Sequence, residues 1–167
     1  MKYLSIAAIV VLFASFSVFG GAAWKVDFTG TWVLDKAQSE GIPDEITGLT
    51  LVVKQSGDKI DIQGKITTAT GDESLPDTII IDAKSNDYIP RGPGGLTGTG
   101  KRTAKWSADG KSLEIEEDVK FDSPDGVVSL HSSRNWALSI DGKILTITQD
   151  VTADQGSQHI KRVLKKQ

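Results

Sequence analysis

Phe28-Thr29-Gly30-Thr31-Trp32-Val33-Leu34 is the stretch on which the reading of this chain turns. It begins a long series of short, alternating segments joined by Asp-Gly turns. On its N-terminal side lies a different kind of sequence. Met1-Lys2 is a short positive start, Tyr3 to Phe19 carries no charge, and Gly20-Gly21-Ala22-Ala23 supplies small residues. That is the layout of a secretory signal peptide. The apolar run is near the lower limit for spanning a bilayer, so it reads as a leader cut after Ala23 or Ala22. Residues 1–23 are therefore assigned to the leader and 24–167 to one domain, with no stable membrane insertion after cleavage.

The 167-residue chain has a formal net charge of −3 and no cysteine. A domain of this length buries roughly 70% of its unfolded surface without crosslinks. Small exported domains of animals are usually held by disulfides, so a cysteine-free exported chain points to a bacterial periplasmic or secreted protein. Mild acidity argues against nucleic acid as a partner.

Past Trp32 the pattern is strand after strand. Thr31 to Leu34 is a first short strand, and Asp35 to Thr47 interrupts with a short helical segment near Ala37-Gln38-Ser39-Glu40. Leu49 to Val53, Lys59 to Ile62 and Asp77 to Ala83 resume β character. A long irregular loop follows, Tyr88 to Gly98. Then come Thr99 to Trp106, Leu113 to Phe121, Val127 to Leu138, Ile144 to Val151 and Gln158 to Leu164. The turns Asp109-Gly110 and Asp141-Gly142 suit type I′ hairpins, which need positive φ at both central residues. The segments Trp106 to Asp118 and Trp136 to Asp150 share this hairpin chemistry. The expected fold is all-β, an antiparallel up-and-down meander of about 8–10 strands. Closing it into a barrel removes the edges that invite aggregation.

The opening strand resembles that of the calycins, the lipocalins and fatty-acid-binding proteins. The closing run Lys161-Arg162-Val163-Leu164-Lys165 is similar to the last strand of the fatty-acid-binding branch. The resemblance implies a lipocalin-like barrel with Gly30 and Trp32 at its floor and Arg162 packed across the indole to join first strand to last. A cation over an indole contributes about 0.5–2 kcal/mol. Leu164 stands where the fatty-acid-binding pattern has a ligand-holding tyrosine, which favours this structural use of Arg162 over carboxylate capture.

Alternation assigns faces. Leu113, Ile115, Glu117, Val119 and Phe121 share one face; Glu114, Glu116 and Asp118 share the solvated one. Arg134 and Trp136 share a face, as do Arg102 and Trp106. If the tryptophans point inward, so do the arginines, and a buried arginine needs a partner. Glu117 could be that partner, or a ligand carboxylate could be held in a bidentate pair. Arg102, Trp106, Arg134, Trp136 and Glu117 are thus the candidate ligand-binding residues.

Gly95-Leu96-Thr97-Gly98-Thr99-Gly100-Lys101 mimics a phosphate-binding loop but lacks the following Ser or Thr and the helix. His131 and His159, the only histidines, sit in no metal motif, so no metal and no cofactor is expected. These features lead to an exported, monomeric barrel that binds a small hydrophobic or amphipathic, possibly acidic, molecule, with no catalytic residue assigned. Two alternatives stand beside it. One is an envelope or secreted interaction module with a packed interior; the other is a haem-binding or enzymatic barrel.

Overall fold

A computed structural model describes residues 25–91, 96–123 and 126–167. The leader read over residues 1–23 lies outside them, as do the glycine run at 92–95 and the hairpin tip at 124–125. Ten antiparallel strands follow one another: β1 Gly30–Leu34, β2 Ile46–Ser56, β3 Lys59–Thr68, β4 Gly71–Ile80, β5 Ser85–Tyr88, β6 Gly98–Trp106, β7 Ser112–Ser123, β8 Gly126–Leu138, β9 Ile144–Ala153 and β10 Gly156–Lys166. They make a single sheet in the order β4-β3-β2-β1-β10-β9-β8-β7-β6-β5. First and last strands meet, with Trp32 opposite Lys166 and Leu34 opposite Leu164. The sheet is a barrel closed everywhere except between β4 and β5.

The expected helical segment is reduced to one 3₁₀ turn, Lys36–Gln38. The chain around it has other work. Glu40 exchanges backbone hydrogen bonds with Lys161 at 2.8 and 2.9 Å, and Asp35 N–H donates to the Val163 carbonyl. The Ser39 hydroxyl accepts from Val163 N–H at 3.0 Å and donates to the Asp35 carbonyl. The segment is thus zipped along β10. Gly41, at φ 68, lets it lie there, since a Cβ would run into the His159 carbonyl.

The Asp-Gly turns form, but in a different conformation from the expected type I′. Gly110 and Gly142 take φ 70 and 67, while neither aspartate has positive φ. Gly110 N–H closes on the Ser107 carbonyl, and Gly142 N–H on Ser139, at 2.9 Å each. The aspartates prefer to cap: Asp109 accepts from Ser107 Oγ and Lys111 N–H, and Asp141 from Ser139 Oγ and Lys143 N–H. An ordinary turn followed by a left-handed glycine satisfies those donors locally.

One end of the barrel is sealed by the residues before β1. Phe28 and Trp32 are both fully buried. The Phe28 ring stacks on Trp106 at 6.0 Å and meets Trp136 edge-on at 5.6 Å. Trp32 Nε1 donates to the Phe28 carbonyl at 2.9 Å. Val26 N–H donates to the Gly110 carbonyl at 3.2 Å, and Gln55 holds both the Phe28 N–H and the Val26 carbonyl. Above this floor the apolar core rises through Val53, Ile60, Ile79, Leu113, Ile115, Leu145 and Leu164.

Candidate functional site: a charged chamber

Above the core the walls draw apart around a cavity of about 380 Å³. Its upper walls are apolar, from Leu49, Ile66, Val119, Phe121, Leu130 and Val151. Its middle is ringed by Asp77, Arg102, Glu117, Arg134, Gln149 and Arg162. Strand alternation brings these together. Arg102 on β6 lies opposite Glu117 on β7, which lies opposite Ser132 on β8; Arg134 lies opposite Gln149 on β9.

Glu117, 5% exposed, is the hub. One of its oxygens accepts from Arg102 Nε and from Arg134 Nη2, both at 2.7 Å. The Tyr88 phenol and the Glu117 carboxylate influence each other's protonation. Burial pushes the Glu117 carboxyl up, but Arg134 and Arg102 outweigh burial and hold it below the ordinary glutamate range. Burial, reinforced by the Glu117 charge, pushes the Tyr88 phenol up, so it stays a hydrogen-bond donor.

Arg102 is spent within the protein. Nη1 donates to Asp77 Oδ1 at 2.9 Å and to the Thr78 carbonyl at 3.0 Å, and Nη2 donates to Asp77 Oδ2 at 3.0 Å. The Tyr88 ring lies 3.9 Å from its guanidinium carbon. Gly100, opposite Tyr88, gives the ring its place: a Cβ there would stand 2.6 Å from it. Of the two arginines expected to orient an acid, Arg102 therefore has the Asp77–Glu117 pair instead.

Arg134 and Arg162 are differently placed. Arg134 Nε is buried without a partner. Arg162 donates only to Gln149 Oε1, at 2.9 Å, and Gln149 in turn donates to Ser132. No carboxylate reaches it among the described residues. Burial, with the Arg134 charge adding, pulls the Arg162 guanidinium down to about 10. The cavity wall thus carries four arginines, including Arg91 at the rim, against two carboxylates, Asp77 and Glu117.

Two further expectations need correcting. Arg162 does not cover Trp32; Lys166 does, its Nζ 5.1 Å from the ring, while Arg162 faces the cavity. Both residues lie on the same face of β10, and the register sets Lys166, not Arg162, beside Trp32. Gly30 serves the expected junction, since a Cβ would stand 2.6 Å from Lys166 Cε. Trp136 lines the cavity, but Trp106 lies below it, under Phe28 with Lys25 at 5.7 Å. Alternation gave Trp106 its face and not its height. His131 and His159 point outward, to Asp118 at 2.9 Å and Asp150 at 2.6 Å, so neither offers an axial ligand inside. The phosphate-loop mimic continues as β6, a strand. Tyr88, Asp77 and Gln149 are cavity residues that the sequence did not single out.

Searches against protein-family models and curated proteins return no match. Solved structures do match. Zebrafish ileal bile acid-binding protein, complexed with cholic acid, superposes with a TM-score of 0.50 at 19% identity, over 84% of this chain and 98% of that one. At that identity the likeness is one of fold, an antiparallel β-barrel like that of the bile acid-binding protein. Secretory abundant heat soluble protein 4 from Ramazzottius varieornatus has a TM-score of 0.50 at 14% identity, over 86% of this chain and 98% of that one.

Proposed function

We propose that the chain is an exported, monomeric carrier of a small amphipathic acid, held with its acidic group between Arg134 and Arg162 and its apolar body against the upper wall. One observation carries this reading. Arg162 is a half-buried cation in the cavity wall with an amide as its hydrogen-bond partner, next to a second arginine with an unused N–H. Leaving such a charge unpaired is costly in a protein interior, and a ligand carboxylate or sulfonate supplies the missing charge-assisted hydrogen bonds. The cavity volume falls within the range of small-molecule sites, mostly apolar with a few placed polar groups. An interaction module with a solid interior would not need it. Cholic acid, the ligand of the zebrafish neighbour, belongs to the chemical class proposed here. Export rests on the composition of residues 1–23.

Native mass spectrometry of the protein with cholate and with a neutral sterol tests the reading. A one-to-one cholate complex is expected, and Arg134→Ala weakens cholate binding at least tenfold more than sterol binding. Equal losses for the two ligands would remove the acid from the proposal.

A further inference from the structure

We propose that the seam between β4 and β5 is a side door to the chamber, and that Arg102 is its latch. This rests on the ligand-binding reading above. Every other neighbouring pair in the barrel is joined by backbone; on the far side of β4, for instance, β3 and β4 share ten paired positions. Among the described residues no ladder joins β4 to β5. Across that gap the bond is made by one side chain. Arg102, rooted on β6, reaches past β5 to Asp77 and the Thr78 carbonyl on β4.

The chamber reaches this gap. Leu75, Pro76 and Asp77 on one side, and Tyr88, Ile89 and Pro90 on the other, all belong to its lining. Pro76 lacks the N–H for a further ladder bond, a residue suited to an unpaired edge. Ile89, 72% exposed, puts an apolar contact at the outer lip. The connection below the seam has a strained residue: Ala83, at φ 57, is the one described non-glycine residue with left-handed backbone. Its N–H is tied to the Ala104 carbonyl and that of Ile81 to Asp58, which fixes the foot of the seam. The upper seam is held by side-chain hydrogen bonds to a single guanidinium. Parting it breaks those bonds and leaves every ladder whole, so it is the least costly opening in the wall.

The latch also touches the proposed acid site. Glu117 holds Arg102 with the same oxygen that holds Arg134. An acid arriving at Arg134 competes with Glu117 for that guanidinium and leaves Glu117 to Arg102, which favours a shut seam once the ligand is in.

Arg102→Lys is the deciding variant, because it keeps the charge and loses the fork that spans two carboxylates. Stopped-flow fluorescence with 8-anilinonaphthalene-1-sulfonate reads entry and exit; hydrogen exchange reads the strands. Both probe rates should rise about tenfold, and the Thr78 amide, which donates to the Asp77 carboxylate that Arg102 holds, should exchange about tenfold faster while those of β9 hold. Should Arg102→Lys fail to fold, Asp77→Asn breaks the same bridge from the more exposed side and is read by the same exchange. Probe rates within twofold of the parent, with binding intact, overturn the side door alone. Absence of probe binding by the parent protein overturns the ligand reading and the door with it.

Discussion

Arg162 shows how the placing of a single side chain can carry a cost to stability. A guanidinium in the wall with one amide partner loses hydration that Gln149 only partly restores. Replacing Arg162 by methionine should therefore raise unfolding free energy by about 1–4 kcal/mol while weakening cholate binding. Urea denaturation checks the first part, and a fall in stability would show that the amide satisfies the charge. The residue also marks the limit of what alternation can tell. Period two puts Arg162 and Lys166 on one face, and their heights follow from the pairing of Trp32 with Lys166. For the same reason Arg102, Arg134 and Glu117 were legible as inward-facing, whereas their partner Asp77 was not: β4 bears a charge or proline at several positions and gives little periodic signal. Tyr88 ends a strand of four residues, too short to separate from the loop that follows.

Among the elements, the segment before β1 does more than its length suggests. Lys25 pairs with Asp58 at 2.6 Å, and Phe28 packs against two tryptophans. Phe28→Ala should cost about 3–5 kcal/mol, read from the urea midpoint at unchanged slope. Stability near that of the parent would mean that the core closes without this plug. The hairpins were legible because Asp-Gly-Lys recurs after Trp106 and Trp136; the turn conformation was not, since the capping serine lies outside the dipeptide. The 3₁₀ segment misled because Ala37-Gln38 carries helical propensity, and the pairing of Glu40 with Lys161 overrides it.

For the molecule as a whole, the fold was legible because ten strands in sequence order leave few ways to bury one face of each. The opening between β4 and β5 was not, since it depends on which edges fail to meet. The charged ring also sets the response to acid. Glu117 is held below the ordinary glutamate range in the folded state by Arg134 and Arg102. Its contribution is therefore fully present above the unfolded carboxyl pKa of about 4.3 and is lost as pH falls through the lower folded value. Unfolding free energy should drop between about pH 5 and 3, and less steeply in Glu117→Gln; parallel acid limbs would show that other carboxylates control the decline. Finally, both ends of the described chain leave from one pole. Val26 is anchored at Gly110, and Gln167 donates to the Thr31 carbonyl at 2.9 Å. A fusion or surface tether at either end hangs from the sealed pole, so an immobilised molecule presents its chamber to the bathing solution unobstructed.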